Sequence, residues 1–341
     1  MHQNRIHYID SAKGLLILMV ILHHLTHNAH YTFGIETETF QMIDRFYLFY
    51  LCFFMQAFFL ISGYCSNFTE SFSDLIKKNV KQLLLPALCI NIMIRLIRFA
   101  IYQDITYLQV ILKPHFWIFG GYWFVYALFI CRILYWLIHR YIKNDYLHWI
   151  LLLSGLIISV ISNHPFQLGD KEVIIPNYFF WKNAGANLIF LSIGFKFKTA
   201  LHKKNLLKMS SITFLLLIYF NIVDGGKITV YTMSSNIFLK DIPMFLALAF
   251  LGTMFIIYIS YSLQENLLLQ KFGKQSLLVY LTHGLYLNLC IDFTNRYILH
   301  PNNILTSIIF YILVALTTIT SCWLTIKLFE KKQLSWILGK W

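Results

Sequence analysis

"YIDSAKGLLILMVILHHLTH" (Tyr8–His27) is an apolar run long enough to enter a membrane, yet it carries a carboxylate, an ammonium and several imidazoles. Spanning a bilayer core takes about 20 apolar residues at about 1.5 Å of rise each. Eleven helical steps of about 100° bring His24 to within roughly 20° of Lys13, with roughly 16 Å between them along the axis. Asp10 stands three residues before Lys13, on the same face, and is expected to pair with it. An ionisable group deep in lipid is costly and needs a cavity or a partner. A neutral imidazole there can accept a proton, so His24 reads either as a general base or as a histidine hydrogen-bonded for packing. His23 and His27, four apart, have the spacing of metal ligands, but no third ligand and no HExxH pattern accompany them, and no metal is expected.

The rest of the chain extends this first helix into a bundle. Hydrophobic residues make up 58% of the 341, charged residues 13%, and mean hydropathy is +0.62, which is too apolar for a soluble domain. Apolar windows fall at about 9–28, 46–65, 80–101, 120–139, 147–163, 178–197, 206–222, 242–263, 274–292 and 304–327. The expected fold is all-α, a polytopic membrane bundle of about ten helices. With the N-terminus inside, roughly twice as many Lys and Arg fall on inner ends and loops as on outer ones, which places both termini in the cytoplasm. The net charge of +13 therefore reads as topology, and a nucleic-acid partner is not expected. Inner lysines such as Lys196, Lys198, Lys203, Lys204 and Lys208 suit contact with anionic lipid, the preferred reading for most of them, or with an anionic cofactor. The first run lacks a convincing cleavage site and reads as a retained helix. All six cysteines lie in apolar spans without paired spacing and read as packing residues. The longest connections, about 26–45, 102–119, 164–177 and 223–241, are too short to fold alone, so residues 1–341 are expected to form a single domain.

Four further segments carry polar groups among apolar ones. "FFMQAFFLISGYCSNF" holds Ser62, Gly63 and Tyr64, where glycine permits close approach of a backbone or a ligand. "KKNVKQLLLP" sets Lys77, Lys78 and Lys81 at the inner start of the third span before Pro86, a pattern that positive-inside anchoring also explains. In "GYWFVYALF", Trp123 and Tyr126 fit an interfacial aromatic belt or a surface for sugar stacking. "QSLLVYLTHGLYLN" aligns Ser276, Tyr280 and His283 on one stripe, with His283 at a depth close to that of His24.

Together, and in this order, these segments resemble the acyltransferase-3 family of integral-membrane O-acyltransferases, including its fucose 4-O-acetylase-like and polysaccharide O-acetyltransferase members. "YIDSAKGLLILMVILHH" is similar to the family's Asp, basic residue, ten-residue spacer and His. "FFLISGY", "KNVKQLLLP", "YWFVYAL" and "VYLTHGL" resemble its later segments. Lys13 stands where the family more often has Arg, and Lys78 and Lys81 replace an Arg pair, so point charges take the place of bidentate forks.

The resemblance implies transfer of an acyl group, usually acetyl, from cytoplasmic acetyl-CoA to a hydroxyl of a cell-surface or lipid-linked carbohydrate, at a bacterial inner membrane. CoA is then a donor substrate rather than a resident cofactor. The implied catalytic group is His24, as general base or as a transient carrier of the acyl group, with His283 as proton donor or oxyanion partner, and with Lys13 and Asp10. Lys78, Lys81, Ser62, Gly63 and Tyr64 are implied at the acyl-CoA site, and Trp123, Tyr126, Tyr280, Arg95, Arg98 and Arg132 on the acceptor side. The three arginines are costly in a bilayer and need partners; ion pairs within the bundle are the preferred reading, a saccharide phosphate the alternative. A secondary transporter of a sugar or anionic metabolite also accommodates ten helices and buried basic groups, but the paired interrupted helices typical of such proteins are not visible.

Overall fold

The structure, a computed structural model, describes residues 6–33, 51–113, 122–168, 171–223, 239–298, 303–331 and 337. The described chain is helical apart from one short hairpin. In order it forms α1 (His7–Phe33), α2 (Phe54–Tyr64), α3 (Phe72–Asn79), α4 (Leu85–Tyr102), α5 (Thr106–Ile111), α6 (Trp123–Tyr141) and α7 (Asp145–Asn163). Then come strands β1 (Phe166–Leu168) and β2 (Lys171–Val173), followed by α8 (Trp181–Lys196), α9 (Lys204–Val223), α10 (Ile242–Ser262), α11 (Leu267–Lys274), α12 (Ser276–Tyr297) and α13 (Ile304–Phe329).

Among the described residues seven helical stretches are long and apolar enough to cross a membrane, including a single stretch from Phe72 to Tyr102. The three other expected segments coincide with α2, α8 and α9. The expected connections 26–45 and 223–241, and residues 46–50 of the second expected span, fall wholly or largely outside the described residues. The connection 164–177 holds strands β1 and β2, which are antiparallel with Gln167 opposite Glu172, a pairing that three-residue runs do not announce in a sequence.

Side-chain caps begin several helices. Asn144 accepts from the Tyr146 and Leu147 amides at α7. Asn266 accepts from Leu269 at α11, and Asn303 with Thr306 forms a capping box at α13. Between α3 and α4 the chain makes one π-helical turn, Val80–Leu84, immediately before Pro86. Proline has no N–H and its ring crowds the preceding turn, so a wider turn is the local accommodation.

The chain divides into two compact units. The first comprises Met1–Met55, Lys204–Val230 and Leu251–Ser335, the second Gln56–Lys203, Tyr231–Phe250 and Trp336–Trp341. In the first, α1 packs on α11, α12 and α13. Its contact with α11 is made by backbone: a Cβ at Gly14 would collide with the Leu269 carbonyl, and one at Gly273 with the Asp10 carbonyl. Ser11 Oγ donates to Leu263 O (3.1 Å), His7 Nδ1 meets Gln270 Oε1 (3.0 Å), and the Tyr8 and Tyr261 rings stack at 4.0 Å. Leu16, Ile17, Val20 and Ile21 bury the next two turns of α1.

In the second unit α8 is the central element, packed on α6 and α7. Gly63 of α2 and Gly194 of α8 leave room for the Leu191 and Leu60 carbonyls respectively, so α2 and α8 also meet backbone to backbone. Lys182 is buried and donates its ammonium to the Ser162 carbonyl, capping the carboxyl end of α7. Ile150, Ile157, Ile158 and Ile161 of α7 are exposed, as are Leu305, Ile308, Ile312 and Leu316 of α13. Such outward apolar faces are what a lipid surround requires.

Candidate functional site

In the first unit α1 and α12 bring two of the expected imidazoles together. The His24 and His283 ring centroids are 5.0 Å apart. His23 packs edge-on to His24 at 4.7 Å, and His23 and His27 stack at 6.1 Å. His283 is buried, and its Nδ1 lies 2.7 Å from the Tyr280 carbonyl and 3.1 Å from that of Val279. A carbonyl only accepts, so in the neutral ring Nδ1 carries the hydrogen and Nε2 is left as an acceptor. His24 is half-buried, and among the described residues its contacts are with other rings, with no hydrogen bond on either nitrogen. It is therefore equipped to take a proton from a ligand.

Toward the start of α1, Lys13 Nζ stands 3.9 Å from Asp10 Oδ1, the pairing expected from their spacing. Asp10 is buried and the Lys13 side chain is a quarter exposed. The Gly14–Leu269 and Gly273–Asp10 approaches fix this turn against α11. Tyr280, on the same stripe as His283, is buried with its ring 6.0 Å from that imidazole.

The remaining expected residues belong to the second unit. Gly63 serves the α2–α8 crossing, while the Ser62 carbonyl accepts from Ser66 Oγ (2.7 Å) and Tyr64 OH meets His202 Nε2 (2.9 Å). Lys78 is exposed and pairs with Glu70 at 3.0 and 3.3 Å, and Lys81 lies in the π turn. Arg132, expected with Trp123 and Tyr126 on the acceptor side, donates from its guanidinium to Asn79 Oδ1 (2.8 Å) and Ser66 Oγ (3.0 Å). Trp123 and Tyr126 are half-buried on α6, Tyr126 with the Phe180 ring at 6.1 Å. Arg95 lies within electrostatic reach of Arg98, Tyr122 and Tyr107.

Several groups of this second cluster were not singled out in the sequence. Ser66, Glu70, Asn79 and His202 are ordinary loop and helix residues there, whereas Lys198 stands among the inner lysines read as contacts for anionic lipid or an anionic cofactor. In the structure Lys198 Nζ donates to the Ser66 carbonyl (2.7 Å) and lies over the Phe195 ring at 4.7 Å. Burial lowers the Lys198 ammonium from the usual lysine range. Trp136 Nε1 donates to the Glu70 carbonyl (2.9 Å). One sequence signal existed for Asn79, an amide inside an otherwise amphipathic helical segment, and it is 0% exposed. Among the described residues no group of three or more His, Cys, Asp or Glu is placed to hold a metal ion.

A family model described as an acyltransferase domain, that of acyltransferase-3, matches residues 6–327. No curated protein and no solved structure matches the chain closely enough to add to this. The matched stretch runs through both units and takes in the His24, His283, Lys78 and Arg132 positions, and the chain belongs to the acyltransferase-3 family.

Proposed function

We propose that the protein is a membrane O-acyltransferase that moves an acyl group, acetyl in the first instance, from cytoplasmic acyl-CoA to a hydroxyl of a cell-surface or lipid-linked carbohydrate. This is the chemistry of the fucose 4-O-acetylase-like and polysaccharide O-acetyltransferase members of the family. The observation that carries the reading is the His24–His283 pair, in which the ring at 5.0 Å from His24 is oriented by backbone carbonyls while His24 itself keeps both nitrogens free of hydrogen bonds among the described residues.

His24 takes the proton of the acceptor hydroxyl as its oxygen attacks the thioester carbonyl. The new C–O bond forms, the C–S bond breaks, and the proton passes to the departing CoA thiolate. His283, with Nδ1–H engaged, offers Nε2 as an acceptor beside His24 and supports the charge that ring acquires. Lys13, positioned by Asp10, and the Lys78 and Lys81 ammoniums meet anionic parts of the donor. Ser62, Gly63 and Tyr64 line the donor side, and Trp123, Tyr126, Tyr280, Arg95, Arg98 and Arg132 the acceptor side. Ten spans, both termini cytoplasmic, a bacterial inner-membrane location and one acyltransferase domain across residues 1–341 complete the reading, which the charge asymmetry and the extent of the family match support.

The test is transfer of radiolabelled acetyl from acetyl-CoA by wild-type and His24→Ala protein in membranes containing host glycolipid and polymer. The expected result is label in carbohydrate for the wild type and none for His24→Ala, with acetyl-CoA still bound by both. Folded wild-type protein that neither binds acetyl-CoA nor transfers label would overturn the enzyme and favour a transporter.

A further inference from the structure

In the second unit a set of hydrogen-bond donors converges with too few acceptors. Arg132 is a cation in the middle of α6 whose two hydrogen-bonded partners, Asn79 Oδ1 and Ser66 Oγ, are both neutral. Its Nε–H is buried without a partner, and so is the Nδ2 amide of Asn79, a residue that is 0% exposed. The amide cannot be turned round to cure this, because its oxygen is what accepts from the guanidinium. Lys198 adds a second cation, 2.7 Å from the carbonyl of Ser66. Neither Arg132 nor Lys198 has a carboxylate within ion-pair distance among the described residues. The nearby acid, Glu70, pairs through both oxygens with Lys78, and its charge reaches Arg132 only from beyond ion-pair distance.

Buried donors are almost always satisfied in native proteins, and a cation away from water without a direct ion pair is costlier still. Arg132 Nε, Asn79 Nδ2 and the Lys198 ammonium can all be served by a group that only accepts, carries negative charge and presents several oxygens. We infer that Arg132, Lys198, Ser66 and Asn79 form an oxyanion site that takes a phosphate group. Ser66 gathers the cations: its hydroxyl holds one and its carbonyl the other, while its own Oγ–H is used up on Ser62 O. The phosphate has two sources of the same chemistry, the phosphates of the acyl-CoA donor or an anionic lipid headgroup. The first rests on the acyl-transfer reading above and the second does not.

The experiment uses the full chain in nanodiscs and measures binding of inorganic pyrophosphate, acetyl-CoA and the phosphate-free thioester acetylpantetheine by calorimetry. Arg132→Gln is expected to weaken pyrophosphate and acetyl-CoA about ten- to a hundredfold, the worth of one to two charge-assisted contacts. Acetylpantetheine binding should be unchanged, and Arg132→Lys should restore part of the loss. Lys198→Gln, at a half-buried position, provides the same readout should Arg132→Gln fail to fold. Pyrophosphate affinity unchanged in a folded variant of either residue overturns the site. Arg132-dependent pyrophosphate binding without any acetyl-CoA binding leaves the site standing and removes the donor reading. Arg132-dependent binding seen in phosphatidylcholine discs and suppressed by phosphatidylglycerol supports the site with lipid as its source.

Discussion

His24 and His283 show how a residue's role depends on what its neighbours leave open. His283 spends Nδ1–H on the carbonyls of its own helix, so its tautomer is set locally, whereas His24 makes no such bond. Under the proposed mechanism, His24→Ala should lower kcat by about 10²–10⁴-fold, the usual worth of a general base, with the Kd for acyl-CoA unchanged. A matching rise in Kd would reassign His24 to binding. Lys78 is in the opposite position, since Glu70 already occupies it. Glu70→Gln should tighten acyl-CoA binding modestly at low salt, and the gain should shrink as salt screens this exposed charge. Calorimetry at two ionic strengths reads both, and weaker binding by Glu70→Gln would mean that Lys78 does not contact the donor. Asp10 with Lys13 was legible from the sequence because three residues on a helix is a contact distance. Arg132 with Ser66 and Asn79 was not, because those residues stand 66 and 53 positions away and no local rule joins them.

Glycines decide how closely whole elements approach. Gly14 and Gly273 seat α1 on α11, and Gly63 and Gly194 seat α2 on α8, each with a carbonyl where a Cβ would stand. Gly284 of α12 has open space at the same position. Gly14→Ala and Gly273→Ala should each destabilise by about 1–3 kcal/mol through overpacking against backbone that cannot retreat cheaply. Gly284→Ala should leave stability unchanged or raise it by up to about 1 kcal/mol from helix propensity. Thermal unfolding of the three variants in one detergent checks the contrast, and equal shifts would mean that the α1–α11 contact is looser than described. The sequence made Gly63 conspicuous through its motif but assigned it no partner. The π turn at Val80–Leu84 is likewise announced only by Pro86, because a proline constrains the turn before it without saying how the helix adjusts.

For the whole molecule, the ten-span reading predicts which loops face which side. Lys143→Cys should react with an impermeant thiol reagent only after the membrane is permeabilised, and Glu172→Cys should react in intact cells. The reverse pattern would invert the topology and place the donor-side lysines on the wrong face for cytoplasmic acyl-CoA. Seven described helical stretches meet the length and hydropathy of a span, and the other three expected segments are also helical, so helix content and approximate limits were readable from apolar run length alone. Hydropathy works here because a helix satisfies its backbone within one segment, so an apolar run of about 20 residues is by itself enough to span lipid. By itself, then, the sequence determined a polytopic helical membrane protein, its ordered acyltransferase-3 motifs, and the shared face of Asp10, Lys13 and His24. Tertiary structure alone decided that His283 comes to stand beside His24, that Lys78 meets Glu70, and that Arg132 and Lys198 share Ser66. These contacts join segments far apart in the chain, and their geometry is set by helix crossings rather than by any residue's neighbours in sequence.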